Sequence, residues 1–483
     1  MSEVQVTEKK HLNFINGEWT GVELGSFDVI NPATGKVIAN VPKSGKKETD
    51  EAVEAAHTAY QSWSKLASTE RSQYIRKVAE IMHANKEELA KIMTLEMGKP
   101  LAESRGEVIY AASFLEWYAE EARRVYGRTI PGKSANNRIQ VVRQPVGVVA
   151  AITPWNFPAA MITRKLGPAL AAGCTIVIKP AESTPLTAMK LMEYCEEAGI
   201  PNGVVNLLTG NPGEIGEAFM SNPKVRKVTF TGSTAVGKQL IRQSADTVKN
   251  ISLELGGHAP LIIFEDADIE KAVQGAIASK FRNAGQTCIC VNRIYVQSSV
   301  YDKFITAFKE AVSRLKVGNG LNDGVDIGPM INKAGYEKVE KHVQDAVSKG
   351  AEVVIGGRGE IINENVCYYQ PTILKDVSAD MVVMNEETFG PVVPIQRFET
   401  DEEVIEYANN SPYGLAAYFY TENVTRGTKI MESLDFGIVG WNDALPSTAQ
   451  APFGGMKESG IGREGGIEGI EPYLETKYVS LGL

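Results

Sequence analysis

A chain of 483 residues is too long for one hydrophobic core, and 43% hydrophobic with 23% charged residues is the balance of a folded, multi-domain protein. A formal net charge of -9, with basic residues scattered rather than clustered, gives no footing for nucleic acid or an anionic membrane as partner. Five cysteines, odd in number and mostly isolated, argue against a disulfide framework and for a reducing compartment.

The opening MSEVQVTEKKHLNF has no apolar signal core and no Arg-rich transit pattern, and no apolar stretch is long enough to cross a bilayer, so a cytoplasmic protein is expected. Residues 14–19 and 29–41 read as short strands turning at Asn16-Gly17 and at 32–35. From Asp50 the pattern is helical, with Ala52, Val53, Ala56, Tyr60 and Trp63 on one face, and Ser68 is expected to cap a second helix carrying Tyr74, Val78 and Ile81. Residues 124–145 read as a hairpin.

Between 146 and 255 the rhythm changes. Short apolar runs at 146–152, 174–179, 204–208, 227–230 and 251–255 alternate with helical segments such as 185–198, the signature of βαβ units and a parallel sheet. Ligands of such sheets lie beyond the carboxyl ends of the strands. From His258 onward a second alternating set predicts another α/β domain, and 473–483 reads as a terminal strand that pairs with another element or another subunit. The five histidines lie far apart and no Cys or His spacing suits a metal, so none is expected.

Three places carry chemistry. Cys288 follows a Gly-Gln-Thr turn able to expose a thiol, although most lone cysteines are merely small buried hydrophobes. Glu254 sits inside an apolar strand, where a carboxylate is costly unless paired, protonated or used; a desolvated Glu has the raised pKa that a general base near neutrality needs. Asn156 follows a strand end in a Pro-punctuated loop, with an amide able to donate to an oxyanion.

Together with ITPWNFP (152–158), KPAE (179–182), FTGSTAVG (230–237), LELGGHAP (253–260), GQTC (285–288), EETFGP (386–391), PFGG (452–455) and SGIGRE (459–464), these places resemble the aldehyde dehydrogenase superfamily over nearly the whole chain. The resemblance implies an α/β protein with a Rossmann-like cofactor domain (1–123 and 145–253), a second α/β catalytic domain (254–467), and a small β oligomerisation element (124–144 and 468–483). It implies a Cys288 nucleophile, an oxyanion hole of the Asn156 amide and the Cys288 N–H, Glu254 as hydrolytic base, and Lys165 and Glu464 in a proton relay. It also implies a homodimer or homotetramer.

There is no G-x-G-x-x-G after the first strand of the βαβ region. The cofactor is expected instead where 227–230 meets a helix near Ser233, whose N-terminus suits a pyrophosphate. By resemblance Ile152, Pro154, Trp155, Gly232, Ser233 and Leu255 join that site, Lys179 and Glu182 contact the ribose, and Glu387 and Phe389 hold the nicotinamide. A Glu182 carboxylate repels a 2′-phosphate, so NAD is expected over NADP.

MITRK (161–165), FRNAGQTC (281–288) and Ser447 look like the succinate-semialdehyde branch, in which Arg164, Arg282 and Ser447 would clamp a remote carboxylate. Succinate semialdehyde is the first expectation and glutarate semialdehyde the second; a broad or hydroxy-aldehyde dehydrogenase and a catalytically silent scaffold are the alternatives. Cys290 is read either as packing or as the partner in a reversible disulfide with Cys288.

Overall fold

The computed structural model describes residues 11–483, so most of the stretch read for a targeting signal lies outside the described residues. Asn16 and Gly17 both take positive φ (54° and 80°), the paired left-handed geometry that matches the twist of a two-residue hairpin. They join strands Asn13–Ile15 and Glu18–Thr20, with Phe14 opposite Trp19.

That hairpin edges an eight-stranded sheet. Its parallel centre runs in space Val205–Leu207, Thr175–Lys179, Val148–Ile152, Val225–Thr231, Asn250–Glu254. The predicted runs are these strands. Chain order reverses between Val148–Ile152 and Val225–Thr231, because the chain first winds one way from Val148–Ile152 and then returns past it. Loops leaving the two strands diverge there and open a crevice. At the far edge Gly460–Ile461 pairs with Leu253 and Glu254, so the late chain returns to this first sheet.

A second sheet of seven strands has Ala259–Ile263 and Val291–Gln297 at its centre, all neighbours parallel except the edge strand Glu352–Ile355. Strands such as Ala259–Ile263 are buried along their whole length, as helices on both faces require. The terminal strand Leu474–Gly482 finds its partner within the chain: it pairs antiparallel with Asn137–Pro145, which pairs with Arg128–Pro131, in a separate three-stranded sheet.

Among the early helices, Lys46–Trp63 buries Ala52, Val53, Ala56 and Trp63 while Tyr60 is half-buried. Ser68 is not a cap. The second helix is Ser68–Ala84 with Ala67 at the capping position, and the Glu70 carboxylate accepts from the Ala67 N–H at 3.0 Å. A glutamate three residues along takes over the capping role that an alanine side chain lacks.

Candidate active site

Beyond the carboxyl ends of Val148–Ile152 and Val225–Thr231 lies a cavity of about 350 Å³. Pro154, Trp155, Gly232, Ser233, Leu255, Glu387 and Phe389, all expected on the cofactor side, line it together with Asn156 and Cys288. Helix Thr234–Ser244 begins at its wall with Ser233 as cap, its hydroxyl accepting from the Val236 N–H. An apolar crevice with free helix-end N–H groups fits a dinucleotide's pyrophosphate. Gly237 faces Leu255 so closely that a Cβ there would lie 2.5 Å from the leucine, so only glycine brings this helix against the strand end.

Glu387 accepts from the Gly257 N–H at 3.0 Å, and burial pushes its pKa up to about 7. Phe389 has φ 56°, a strained setting for an aromatic residue, and meets Trp155 edge-on at 5.5 Å. Ile152 and Lys179 are register neighbours on adjacent strands, but neither lines the cavity. Glu182, paired to Lys179, lines an adjoining cleft that shares Ile331 and Asn332 with it.

Cys288 sits at the end of a left-handed turn. Asn283, Ala284 and Gly285 have φ of 54°, 54° and 73° in succession. For Ala284 such a backbone costs about 1 kcal/mol, so the surroundings must enforce it. They do: the Asn283 N–H donates to Glu103 at 2.8 Å and its amide to the Asn156 carbonyl at 3.0 Å. The thiol is half-buried, and desolvation pushes its pKa up to about 12 against the opposing pull of Arg164. Asn156 is buried, donates to the Gln286 carbonyl at 3.0 Å, and leaves its Oδ1 without a partner. Among the described residues, the Cys288 N–H has no acceptor.

Glu254 ends the strand Asn250–Glu254, only 4% exposed, with Oε2 unpartnered and with Gly454 so close that a Cβ there would lie 2.8 Å from Oε1. Burial, and next the charge of Glu464, raise its pKa well above the ordinary carboxylate value. It does not itself line the cavity; Leu255 and Gly256 beside it do.

Behind it, Glu464 is shared between two cations, with Arg164 Nε at 2.8 Å and Lys165 Nζ at 2.5 Å. Burial raises the Glu464 pKa, but these two charges outweigh it and hold the carboxyl ionised. Lys165 also donates to Thr231, the register partner of Glu254.

On the other side of Cys288 lies a tight cavity of about 30 Å³, where Arg164, Arg282 and Ser447 converge with Tyr110, Phe157 and Phe453. Arg164 is held flat against Phe453 at 3.8 Å. Its Nε faces Glu464 as an ion pair without hydrogen-bond geometry, and its Nη2 has no hydrogen-bond partner either, nor have Arg282 Nε and Ser447 Oγ. Cys290 is buried and free, its thiol donating to the Gly285 carbonyl at 3.2 Å with Lys280 Nζ at 3.9 Å.

The sequence reading overlooked Lys99, Glu107 and Asn283, which hold the Asn156 loop. Glu107 gave the same signal as Glu254, a carboxylate among buried neighbours (Ser104, Val108, Ala111) on one helix face. Among the described residues no cluster of His, Cys, Asp or Glu is arranged to hold a metal, and no helix is long and apolar enough to cross a membrane.

Two α/β sheets meeting over a switch-point crevice, with a thiol and an amide on its wall and a desolvated carboxylate beside it, define an enzyme of the nucleotide-binding α/β class. The aldehyde dehydrogenase family model matches residues 19–479, and the chain belongs to that family. It is an NAD(P)-dependent oxidoreductase. A succinate-semialdehyde dehydrogenase of Escherichia coli, named for NADP(+), is 54% identical, covering 97% of each chain. A glutarate-semialdehyde dehydrogenase of Pseudomonas aeruginosa is 53% identical, again over 97% of each. The crystal structure of an NADP-dependent enzyme of E. coli superposes with a TM-score of 0.96 at 53% identity, covering 98% of both chains.

Proposed function

We propose that this enzyme oxidises a short ω-oxo acid to the dicarboxylic acid, succinate semialdehyde first and glutarate semialdehyde second, with NAD preferred to NADP. The observation that carries the substrate class is the tight cavity beside Cys288, where Arg164 Nη2, Arg282 Nε and Ser447 Oγ make no hydrogen bond within the protein. Buried donors are rarely left unmet, and an anionic headgroup meets all three. The carboxylate fixed there leaves the aldehyde carbon at the thiol, as a chain of four or five carbons allows.

The sulfur of Cys288 loses its proton as it bonds to the carbonyl carbon, and the resulting oxyanion accepts from the Asn156 amide and the Cys288 N–H. The nicotinamide, when bound, supplies the two-electron acceptor that turns the thiohemiacetal into a thioester. Glu254, whose burial raises its pKa well above the ordinary carboxylate value, deprotonates the water that adds to the thioester, and the acid leaves as sulfur is released. Lys165 and Glu464 carry that proton onward. NAD preference rests on Glu182, whose carboxylate accepts from a ribose hydroxyl and repels a 2′-phosphate.

The rest of the reading follows the chain's layout. A cofactor domain of 1–123 and 145–253, a catalytic domain of 254–467 and a bridging sheet of 124–144 and 468–483 suit the two sheets and the small third one. The bridging sheet leaves Leu474–Gly482 as an open edge with Tyr478 62% exposed, a surface suited to a homodimer or homotetramer. Free, scattered cysteines fit the reducing cytoplasm.

The test is kcat/KM over a panel of charged and neutral aldehydes with each cofactor. Succinate semialdehyde should lead; a neutral aldehyde of the same length used equally well would remove the clamp.

A further inference from the structure

A buried ion pair stands beneath the Asn156 loop with no part in the chemistry above. Lys99 and Glu107 are 0% and 1% exposed and 2.6 Å apart. Neither side chain reaches the surface, and an apolar pair of similar volume is often as stable or more so, which makes an ion pair a poor device for stability alone. What the pair touches is more telling.

Lys99 Nζ donates to the Asn156 carbonyl at 2.7 Å and lies 4.0 Å over the Phe157 ring. Glu107 spends its other oxygen on the N–H groups of Ala159 and Ala160, at 2.9 and 3.2 Å. Those groups open the helix Ala160–Ala172, which carries Arg164 and Lys165. One cation and one anion therefore fasten the backbone on both sides of residues 156–160. The Asn283 amide gives the Asn156 carbonyl a second donor, and Asn283 belongs to the turn that presents Cys288.

Lys99 in turn enters from a fixed backbone. Gly98 ends helix Lys86–Met97 with φ 90°, and a Cβ on Gly320 or Gly328 would lie 2.4 and 2.3 Å from the carbonyls of Lys99 and Gly98.

We propose that Lys99 and Glu107 form a strut that sets the aim of the Asn156 amide relative to Cys288, making both positioning residues for the reaction. This rests on Asn156 serving as the oxyanion donor. With its carbonyl doubly held, the residue keeps only side-chain rotations, and one amide hydrogen is already committed to Gln286, two residues before the thiol. The other hydrogen is then directed by the strut.

A double-mutant cycle tests this, read as single-turnover NADH formation with succinate semialdehyde and NAD. Lys99→Met should slow the step about 100-fold, the scale of a misplacement near 1 Å, with KM little changed. In an Asn156→Ala background the same substitution should change the rate less than about 3-fold, because the donor it aims is gone. Equal losses in both backgrounds, or a loss confined to KM, would overturn the strut. If Asn156→Ala alone is harmless, the oxyanion reading falls and the strut with it. A large Asn156 effect that adds to the Lys99 effect sinks the strut alone. Where Lys99→Met does not fold, the pair Lys99→Met with Glu107→Leu removes both charges together and the same cycle is run on it.

Discussion

The two cavities that meet at Cys288 are built from different materials. The wide one is walled by strand ends, a helix start and apolar rings, with the Glu387 carboxylate held there by the Gly257 N–H. The narrow one is crowded by guanidinium groups and a hydroxyl, charges brought together from the helix Ala160–Ala172, the nucleophile turn and a late loop. A site walled by backbone serves a ligand common to many enzymes. A site walled by side chains from distant segments is free to be respecified. On the proposed function, chemistry belongs to the boundary between them, and specificity to the narrow side.

The sharpest break of that division is at the boundary itself. Cys288→Ser should abolish turnover by at least ~10³-fold with every aldehyde, charged or neutral, because no other thiol lines either cavity. NAD affinity by fluorescence titration should survive; its loss would mean the thiol belongs to the cofactor wall.

Glu254→Gln comes next. Steady-state kcat should fall ~10²- to 10⁴-fold while a first burst of NADH persists, because the base acts after hydride has gone. In the parent enzyme a carboxyl whose pKa is raised is protonated at low pH and becomes a base only as pH rises through that raised value. The hydrolytic rate should therefore keep climbing with pH above the ordinary carboxylate range rather than level off near pH 5. A profile already flat from pH 5 would mean that Glu254 is ordinary.

The narrow side is probed more cleanly at Arg282 than at Arg164. Arg164 also neutralises Glu464 beside the base, so its removal disturbs both functions. Arg282 has no ion-pair partner among the described residues. Arg282→Leu should lower kcat/KM for succinate semialdehyde ~10²-fold and for butanal-like substrates only a few-fold, as expected for a charge-assisted pair within a pocket. Equal losses on both would erase the distinction between the walls.

The sequence disclosed the wide side better than the narrow. The five central strands were visible as apolar runs because strands buried on both faces must be apolar throughout, and the switch point follows from their order. Glu254 was visible for the complementary reason, as a charge where none should be. The proposed clamp was suggested only by resemblance, since Arg164, Arg282 and Ser447 carry no local sign that they line one cavity. Lys99 was missed because a lysine at a helix end reads as solvated; its unexposed pairing with Glu107 and the packing of Gly320 and Gly328 against its backbone show it to be enclosed. The Ser68 misreading has the same root. Capping chemistry can be supplied by a neighbour three residues on, which a residue-by-residue preference does not see.

The smallest effect falls on the wide side, where backbone contacts should make single side chains matter least. Glu182 is the exception that tests the rule: it is 43% exposed, paired to Lys179, and lines the cleft adjoining the main cavity. Its carboxylate is screened by water and by that lysine, so its repulsion of a 2′-phosphate is modest. Glu182→Gln should raise kcat/KM with NADP roughly 10-fold relative to NAD, leaving the aldehyde preference untouched. Freeing Lys179 to meet the phosphate contributes in the same direction. A ratio that does not move would place cofactor choice in the backbone, as on the rest of that wall; a shift in aldehyde preference would show the two sides are not independent.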